Sequence, residues 1–248
     1  MENNEKNLFI ISGTSKGLGN SLWELASEQV NNYFILINRQ SLEINKQNST
    51  NIIVDLSRQI ENEKLAEIFE GVDKSFNNIF LINNAAVLKP IKPLGLLDKQ
   101  DIINHFMVNL VNQAVLINEF IKKTNSLKCN KKVLNISSGV AVLPYHGLSL
   151  YCSCKAGLEM LTQCVDIEQK EKQEIKIMAF RPGVIDTGMQ KFLRNADHVD
   201  LERVDKFKEL HNINSLSQPE EIARKIYQIL FDGQCWDKPV MDESEINI

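Results

Sequence analysis

The sequence predicts a single α/β domain: one parallel sheet, doubly wound from its middle, with helices on both faces. Three observations predict it. Short apolar runs rich in Ile, Leu, Val and Phe alternate with longer segments of helical periodicity, the pattern of strands buried on both faces. The first run passes through a glycine-bearing turn directly into a helical segment. No internal repeat, low-complexity linker or block of like charge interrupts the 248 residues, so 1–248 read as one domain.

Leu8–Ser12 is the first expected strand. Gly13-Thr-Ser-Lys-Gly-Leu-Gly19 follows and opens a helix whose apolar residues Leu18, Leu22, Trp23, Leu25, Ala26 and Val30 fall at helical spacing. Glycine permits positive φ and close backbone approach, and a helix N-terminus offers unpaired N–H groups to an anion. The loop, with Gly13, Ser15, Lys16, Gly17, Leu18 and Gly19, therefore suits a pyrophosphate. Its spacing is G-x-x-x-G-x-G rather than G-x-G-x-x-G, so the general dinucleotide motif gives only part of the support. Gly13-Thr-Ser-Lys-Gly17 also satisfies the G-x-S-x-G nucleophile elbow, with Ser15 as a hydrolase nucleophile. No earlier strand is present to build the oxyanion loop such a hydrolase needs.

Phe34–Asn38 is the second strand and ends where a dinucleotide fold inspects the adenosine ribose. An acidic residue there would bind the 2′-hydroxyl; Asn38-Arg39 stands instead. Arg39 and Lys16 suit a 2′-phosphate, which favours NADP(H) over NAD(H). Asn51–Val54 is the third strand, leading to Asp55 and Leu56; Asp55 either accepts from an adenine amino group or caps the next helix, which holds Leu65–Phe69. Ile79–Ile82 is the fourth strand, and the small residues of Asn83-Asn84-Ala85-Ala86 after it allow a cofactor close approach. Asp98 is the expected N-cap of one long helix over Lys99–Lys123 that contains Asn109.

Lys132–Ile136 is the fifth strand, leaving through Ser137-Ser138-Gly139 and an apolar loop, Val140–Tyr145. The helix after it carries Tyr151 and Lys155 at i and i+4, on one face. A phenol with a pKa of about 10 is a sluggish proton donor, and an ammonium beside it favours the phenolate, tuning the pair for general acid–base work. Ser138 would hydrogen-bond the oxygen on which charge develops when a carbonyl is reduced. Ile175–Phe180 is the sixth strand, left by the turn Arg181-Pro-Gly-Val-Ile-Asp-Thr187. Residues 188–214 read either as a mobile substrate lid or as a plain amphipathic helix pair. Gln218-Pro-Glu-Glu221 opens the last helix, which ends near Gly233.

A net charge of −4 argues against a nucleic-acid footprint. No apolar run is long enough to span a bilayer, and the polar Met1–Asn7 is no signal peptide. The five cysteines lack paired-finger spacing, Cys152 and Cys154 read as packing residues rather than metal ligands, and a reducing cytoplasm is the expected location.

Taken together, these pieces resemble the short-chain dehydrogenase/reductase family over essentially the whole chain. Ser12-Gly-Thr-Ser-Lys-Gly-Leu-Gly19 is similar to its T-G-x-x-x-G-x-G loop with Ser for Thr, and Asn83-Asn-Ala-Ala86 to its N-N-A-G with Ala for Gly. Ser138, Tyr151 and Lys155 carry the family spacing, and Pro182-Gly183 with Thr187 resembles its P-G-x-x-x-T. The resemblance implies a Rossmann-type fold, NADP(H)-dependent reduction of a small carbonyl substrate, and nicotinamide contacts from Pro182, Gly183, Val184, Ile185 and Thr187. It also implies that Lys155 holds the nicotinamide ribose, that Asn109 orders a water relaying protons to Lys155, and that Ser138, Tyr145 and Tyr151 border the substrate. Homodimers or tetramers through Lys99–Lys123 and Tyr151–Gln169 are expected, with Ile117, Phe120, Leu158, Met160 and Leu161 as surplus apolar residues. Within the family, Pro182-Gly-Val-Ile-Asp-Thr-Gly-Met-Gln190 resembles sepiapterin reductases and the bacterial and fungal benzil reductases. The acidic residue that pterin-binding members use near the C-terminus is not assignable among Asp232, Asp237 and Asp242. A redox-sensing regulator that binds NADP(H) and a protein partner without turnover is the non-enzymatic alternative.

Overall fold

The first strand, β1 (Asn7–Ser12), lies in the middle of a seven-stranded sheet, between β2 (Asn32–Asn38) and β4 (Asn78–Asn83). The computed structural model describes residues 5–171 and 175–246, so the first four residues of the polar Met1–Asn7 segment lie outside it. Outward from β2 comes β3 (Ser49–Ile53); outward from β4 come β5 (Asn130–Ile136), β6 (Lys176–Arg181) and β7 (Val240–Asp242), all parallel. The order β3-β2-β1-β4-β5-β6-β7 reverses between β1 and β4. That reversal opens a crevice at the carboxyl ends of these strands, where ligands bind in such sheets.

Side chains alternate across each strand, so Phe9 and Ile11 face one core while Leu8 and Ile10 face the other. The first core is closed by α1 (Gly17–Ala26) and α8 (Pro219–Phe231), through Leu22, Trp23 and Ile226. The second is closed by α2 (Asn62–Phe69), α4 (Asn112–Thr124) and α5 (Ser149–Lys170), through Ile68, Phe120 and Val165. Register is pinned at the strands' N-terminal edge by an asparagine ladder. Asn7 donates to Asn32 at 2.8 Å, Asn78 to Asn7 at 2.7 Å and Asn130 to Asn78 at 3.0 Å. A one-residue slip would break every rung and turn each strand's apolar set to the wrong face.

Several expectations need correction. The helix expected over Lys99–Lys123 is α3 (Lys99–Phe106), a π-helical turn (Met107–Val111) and α4. Buried amides compete for backbone there: Gln113 Nε2 donates to Ala85 O (3.0 Å) and Val108 O (3.3 Å), and Asn112 Nδ2 to Leu56 O (2.8 Å) and Arg58 O (2.6 Å). Asp98 occupies the N-cap position of α3 without a capping bond from its side chain. Helix α1 stops at Ala26, leaving Val30 in a turn and 82% exposed. Asp55 caps no helix; its carboxylate accepts from Ser57 N and Oγ in a local turn, and α2 starts only at Asn62. The three-residue β7 was not expected at all. Ile117, Phe120 and Leu158 belong to the chain's own core, leaving Met160 as the exposed member of the surplus apolar set.

Residues 188–214 form α6 (Gly188–Arg194) and α7 (Val204–Asn212), packed through Met189, Phe192, Leu193, Val204 and Phe207 onto Tyr145 and Tyr151. Helix α8 begins as expected, with Gln218 and Glu221 forming a reciprocal capping box. Among the described residues no helix is long and apolar enough to cross a membrane.

Candidate active site

The crevice is shaped by contact between two loops. Gly13 has φ +75°, and a Cβ on it would lie 2.8 Å from the Ala85 Cα; on Gly19 it would lie 2.4 Å from the Gly13 carbonyl oxygen. Ser12 Oγ accepts from the backbone N–H groups of Asn84 (3.1 Å) and Ala85 (3.0 Å), while Asn84 Nδ2 donates to the carbonyls of Ser12 (3.0 Å) and Gly13 (2.9 Å). A serine hydroxyl suffices for this clamp. Lys16 precedes α1 in extended conformation with no side-chain cap, so the N–H groups of the helix's first turn remain open to an anion.

A cavity of about 660 Å³ runs from this loop and Arg39 to Ser138, Tyr145 and Tyr151. Gly13, Ser15, Lys16, Gly17, Leu18, Asn38, Arg39, Asp55 and Leu56 line it, as do Asn84, Ala85 and Ala86 and the turn residues Pro182, Gly183, Val184, Ile185 and Thr187. Gly19 and Asn109 do not. Gly19 is packed beneath the loop, and Asn109 spends its amide on backbone: Oδ1 accepts from Val87 N at 2.9 Å, and Nδ2 donates to Val87 O (2.9 Å) and His105 O (3.0 Å). Asn109 thereby ties the π-helical turn to the cavity wall beside Ala86.

Asn38 is also committed internally. It is buried, its Oδ1 accepts from Thr14 N at 2.9 Å, and its Nδ2 donates to Thr14 Oγ1 (2.8 Å) and Asn51 Oδ1 (2.9 Å). Its job is to fix the glycine loop against β2, which leaves Lys16 and Arg39 as the exposed cations there. Burial pushes the Asp55 carboxyl up, but the Ser57 hydrogen bonds and the charges of Arg39 and Arg58 outweigh it and hold the group below the ordinary carboxylate range.

At the other end, Ser138 is half-buried where β5 exits, and its Oγ accepts from Val140 N at 3.4 Å. Tyr151 is 8% exposed, with its hydroxyl 3.7 Å from Met189 Sδ of α6. Lys155 is 1% exposed and donates to Ile136 O at 2.6 Å; its Nζ stands 5.7 Å from the Tyr151 ring centroid. The expected depression of the tyrosine pKa is reversed in this structure. Burial, followed by the Cys152 and Cys154 thiols, pushes the Tyr151 phenol well above its usual value. Burial also pulls the Lys155 ammonium down to about 8, opposed by Cys154 and Glu159. Both groups resist charging in a dry site, so the phenol holds its proton until charge develops opposite it.

Two neighbours escaped sequence reasoning. Glu159, one turn beyond Lys155, accepts from Ser137 Oγ (2.6 Å) and takes Arg181 in a two-pronged ion pair. His105 is 1% exposed and sets its ring edge-on to Tyr151, centroids 6.2 Å apart at 82°. Burial lowers the His105 pKa, against the Lys89 carbonyl and with the Lys155 charge, so the imidazole packs neutral. The Lys155-x-x-x-Glu159 spacing was the only trace of the first; an isolated histidine in the polar helix Lys99–Phe106 gives none of the second. The Ser15 hydroxyl has no hydrogen-bond partner among the described residues and no histidine lines the cavity, so Ser15 lacks the base a nucleophile needs.

A doubly wound parallel sheet whose glycine loop and crevice lead to a serine, tyrosine and lysine defines a dinucleotide-dependent oxidoreductase scaffold. The short chain dehydrogenase profile matches residues 7–198, and the chain belongs to that family, whose members act on carbonyl or alcohol groups with nicotinamide cofactors. It is 36% identical over 230 residues to the benzil reductase ((S)-benzoin forming) of Bacillus cereus, covering 89% of this chain and 92% of that one. It is 30% identical over 158 residues to the sepiapterin reductase of Rattus norvegicus, covering 61% and 58%. The fold matches the crystal structure of the KRED1-Pglu enzyme with a TM-score of 0.79 at 23% identity, over 92% of this chain and 96% of the other.

Proposed function

We propose that this protein is an NADPH-dependent carbonyl reductase for aromatic ketones and vicinal diketones, working as a cytoplasmic homodimer. The observation that carries the reading is the convergence of Ser138, Tyr151 and Lys155 on the apolar end of a cavity whose other end is a phosphate cradle. A Cβ-free Gly13 and Gly19, open N–H groups at α1, and exposed Lys16 and Arg39 fit a dinucleotide with a 2′-phosphate. When bound, that cofactor supplies the hydride.

Ser138 Oγ hydrogen-bonds the substrate oxygen and orients it. Tyr151 gives its proton to that oxygen as the carbonyl becomes an alkoxide. Lys155, charged below its lowered pKa, stabilises the phenolate left behind. Val140, Leu143, Tyr145 and Met189 keep water from the reacting carbon and suit an aromatic group. The resemblance to the benzil reductase of Bacillus cereus, which spans 89% of this chain, supports a vicinal diketone as substrate.

The five free thiols, Cys129, Cys152, Cys154, Cys164 and Cys235, suit a reducing compartment. Exposed Ile103, Val111, Met160 and Ile167, on α3, the π-helical turn and α5, support a self-associating face. The reading is tested by fluorescence titration with NADPH and NADH, followed by benzil turnover at 340 nm. NADPH should bind at least about tenfold more tightly, a difference of about 1.4 kcal/mol. Equal dissociation constants, or no turnover of any diketone, would reject it.

A further inference from the structure

The substrate end of the cavity holds positive charge for which carbonyl reduction alone has no use. Tyr145, on the loop between β5 and α5, meets α7 there. Lys206 Nζ donates to its phenolic oxygen at 3.0 Å and lies 5.6 Å from its ring centroid. The Arg203 guanidinium carbon stands 5.5 Å from the same centroid, and Phe207 packs on the ring at 6.2 Å. These contacts hold both cations against an aromatic face rather than leaving them loose.

Neither cation has an acidic partner. Among the described residues Arg203 and Lys206 form no ion pair, and the acid between them, Asp205, is taken by Lys208 and His198 at 3.3 Å each. Glu202 and Glu209, beside them in sequence, form no ion pair with either. The carboxylates that line the cavity, Asp55 after β3 and Asp242 at the end of β7, belong to other strand ends. Lys206 keeps two further N–H donors, and Tyr145, accepting from Lys206, keeps its own O–H. No acceptor meets them among the described residues, and both residues line the cavity.

Donors of this kind, clustered around one phenol and set beside an otherwise apolar wall, recognise an anion. We infer that the preferred substrate is an aromatic keto acid, whose carboxylate is received by Lys206 and Tyr145 while its ketone faces Ser138 and Tyr151. This rests on the carbonyl-reductase reading and narrows it. The reaction balances as before: the C=O π bond breaks, a C–H bond forms with the hydride of the reduced nicotinamide, an O–H bond forms with the Tyr151 proton, and the carboxylate is unchanged.

The test uses benzoylformate and 3-benzoylpropanoate, each beside its methyl ester, with NADPH and the 248-residue protein. For at least one pair the acid's KM should lie about tenfold or more below the ester's, and the advantage should shrink in 0.5 M potassium chloride. Lys206→Met should raise the acid's KM about tenfold and erase its advantage over the ester. Lys208→Met, on the same helix but paired with Asp205, should change neither. Esters turned over as well as acids in the wild type, or an acid preference that survives Lys206→Met, would overturn the inference and leave the reductase reading standing. Turnover of neither acid nor ester, nor of benzil, would sink that reading and this inference with it.

Discussion

Glu159 and Arg181 join the catalytic helix to the sheet: Arg181 Nε reaches Glu159 Oε1 at 2.8 Å and Nη2 reaches Oε2 at 2.7 Å. Ser137 Oγ donates to the same carboxylate at 2.6 Å, so one acid holds the exits of β5 and β6 and the third turn of α5 in a single knot. Ser138 sits next to Ser137 in sequence, and Lys155 lies one turn before Glu159. The knot therefore sets the distance between the strand end that carries the serine and the helix that carries the tyrosine and lysine.

Glu159→Ala leaves Arg181 without its partner and Ser137 without its acceptor. Breaking a buried pair costs about 3–5 kcal/mol, and the side-chain exposures, 6% for Glu159 and 21% for Arg181, place the expected loss at about 3 kcal/mol. Urea unfolding should show a lower midpoint at an unchanged slope. A change within 0.5 kcal/mol would show that the knot is ornamental.

Lys155 has its pKa lowered to about 8, chiefly by burial, so its ammonium is present below that pH and lost above it. Reduction needs the charged form. The kcat/KM for a ketone should fall as pH rises through about 8, because this ratio reports the free enzyme. The Tyr151 phenol is raised, so it stays protonated through the same window. A flat profile from pH 6 to 10 would contradict the assignment of Lys155.

Cofactor preference should trace to Lys16 and Arg39, not to Asn38. Charge-assisted bonds are worth roughly 1.5–3 kcal/mol before solvent losses, and both cations are exposed, so each should give about tenfold at most. Lys16→Ala with Arg39→Ile should weaken NADPH binding by tenfold or more and leave NADH nearly untouched. Asn38→Asp would instead remove the donor to Asn51 Oδ1, set a carboxylate against that oxygen and weaken both cofactors. Equal losses for both cofactors in the Lys16/Arg39 variant would refute this division.

Where signals are local and repeated, the sequence discloses the structure. Leu8–Ile11, Phe34–Ile37 and Ile79–Ile82 are continuous apolar runs, and each is a strand buried on both faces. The glycine turn is legible because φ +75° at Gly13 and the close pass of Ala85 leave no other residue type. Features set by distant partners are hidden. The π-helical turn lies where Asn109, Asn112 and Gln113 bond to carbonyls of other loops, and β7 is three residues whose apolar content is too small to register. The same holds at the site. Spacing brings Tyr151 and Lys155 together, but the direction of their pKa shifts depends on how dry the finished cavity is, and Lys206 reaches Tyr145 only through the packing of α7.

Exposed Ile103, Val111, Met160 and Ile167 should be covered in solution. Light scattering at micromolar concentration is expected to give twice the mass of the 248-residue chain, or four times if a second interface forms. Met160→Lys with Ile167→Lys should shift the mass toward the single chain. A wild-type mass of one chain would refute the homodimer.

The most direct test of the central claim is the turnover of Tyr151→Phe with NADPH and benzil. The phenol is the only proton donor assigned to the substrate oxygen, and its removal takes little from the packing of a residue 8% exposed. General acid catalysis contributes typically 10²–10⁴-fold, so kcat should fall by about a thousandfold while the dissociation constant for NADPH stays within about threefold. Turnover close to that of the wild type, with folding and NADPH binding intact, would contradict the claim.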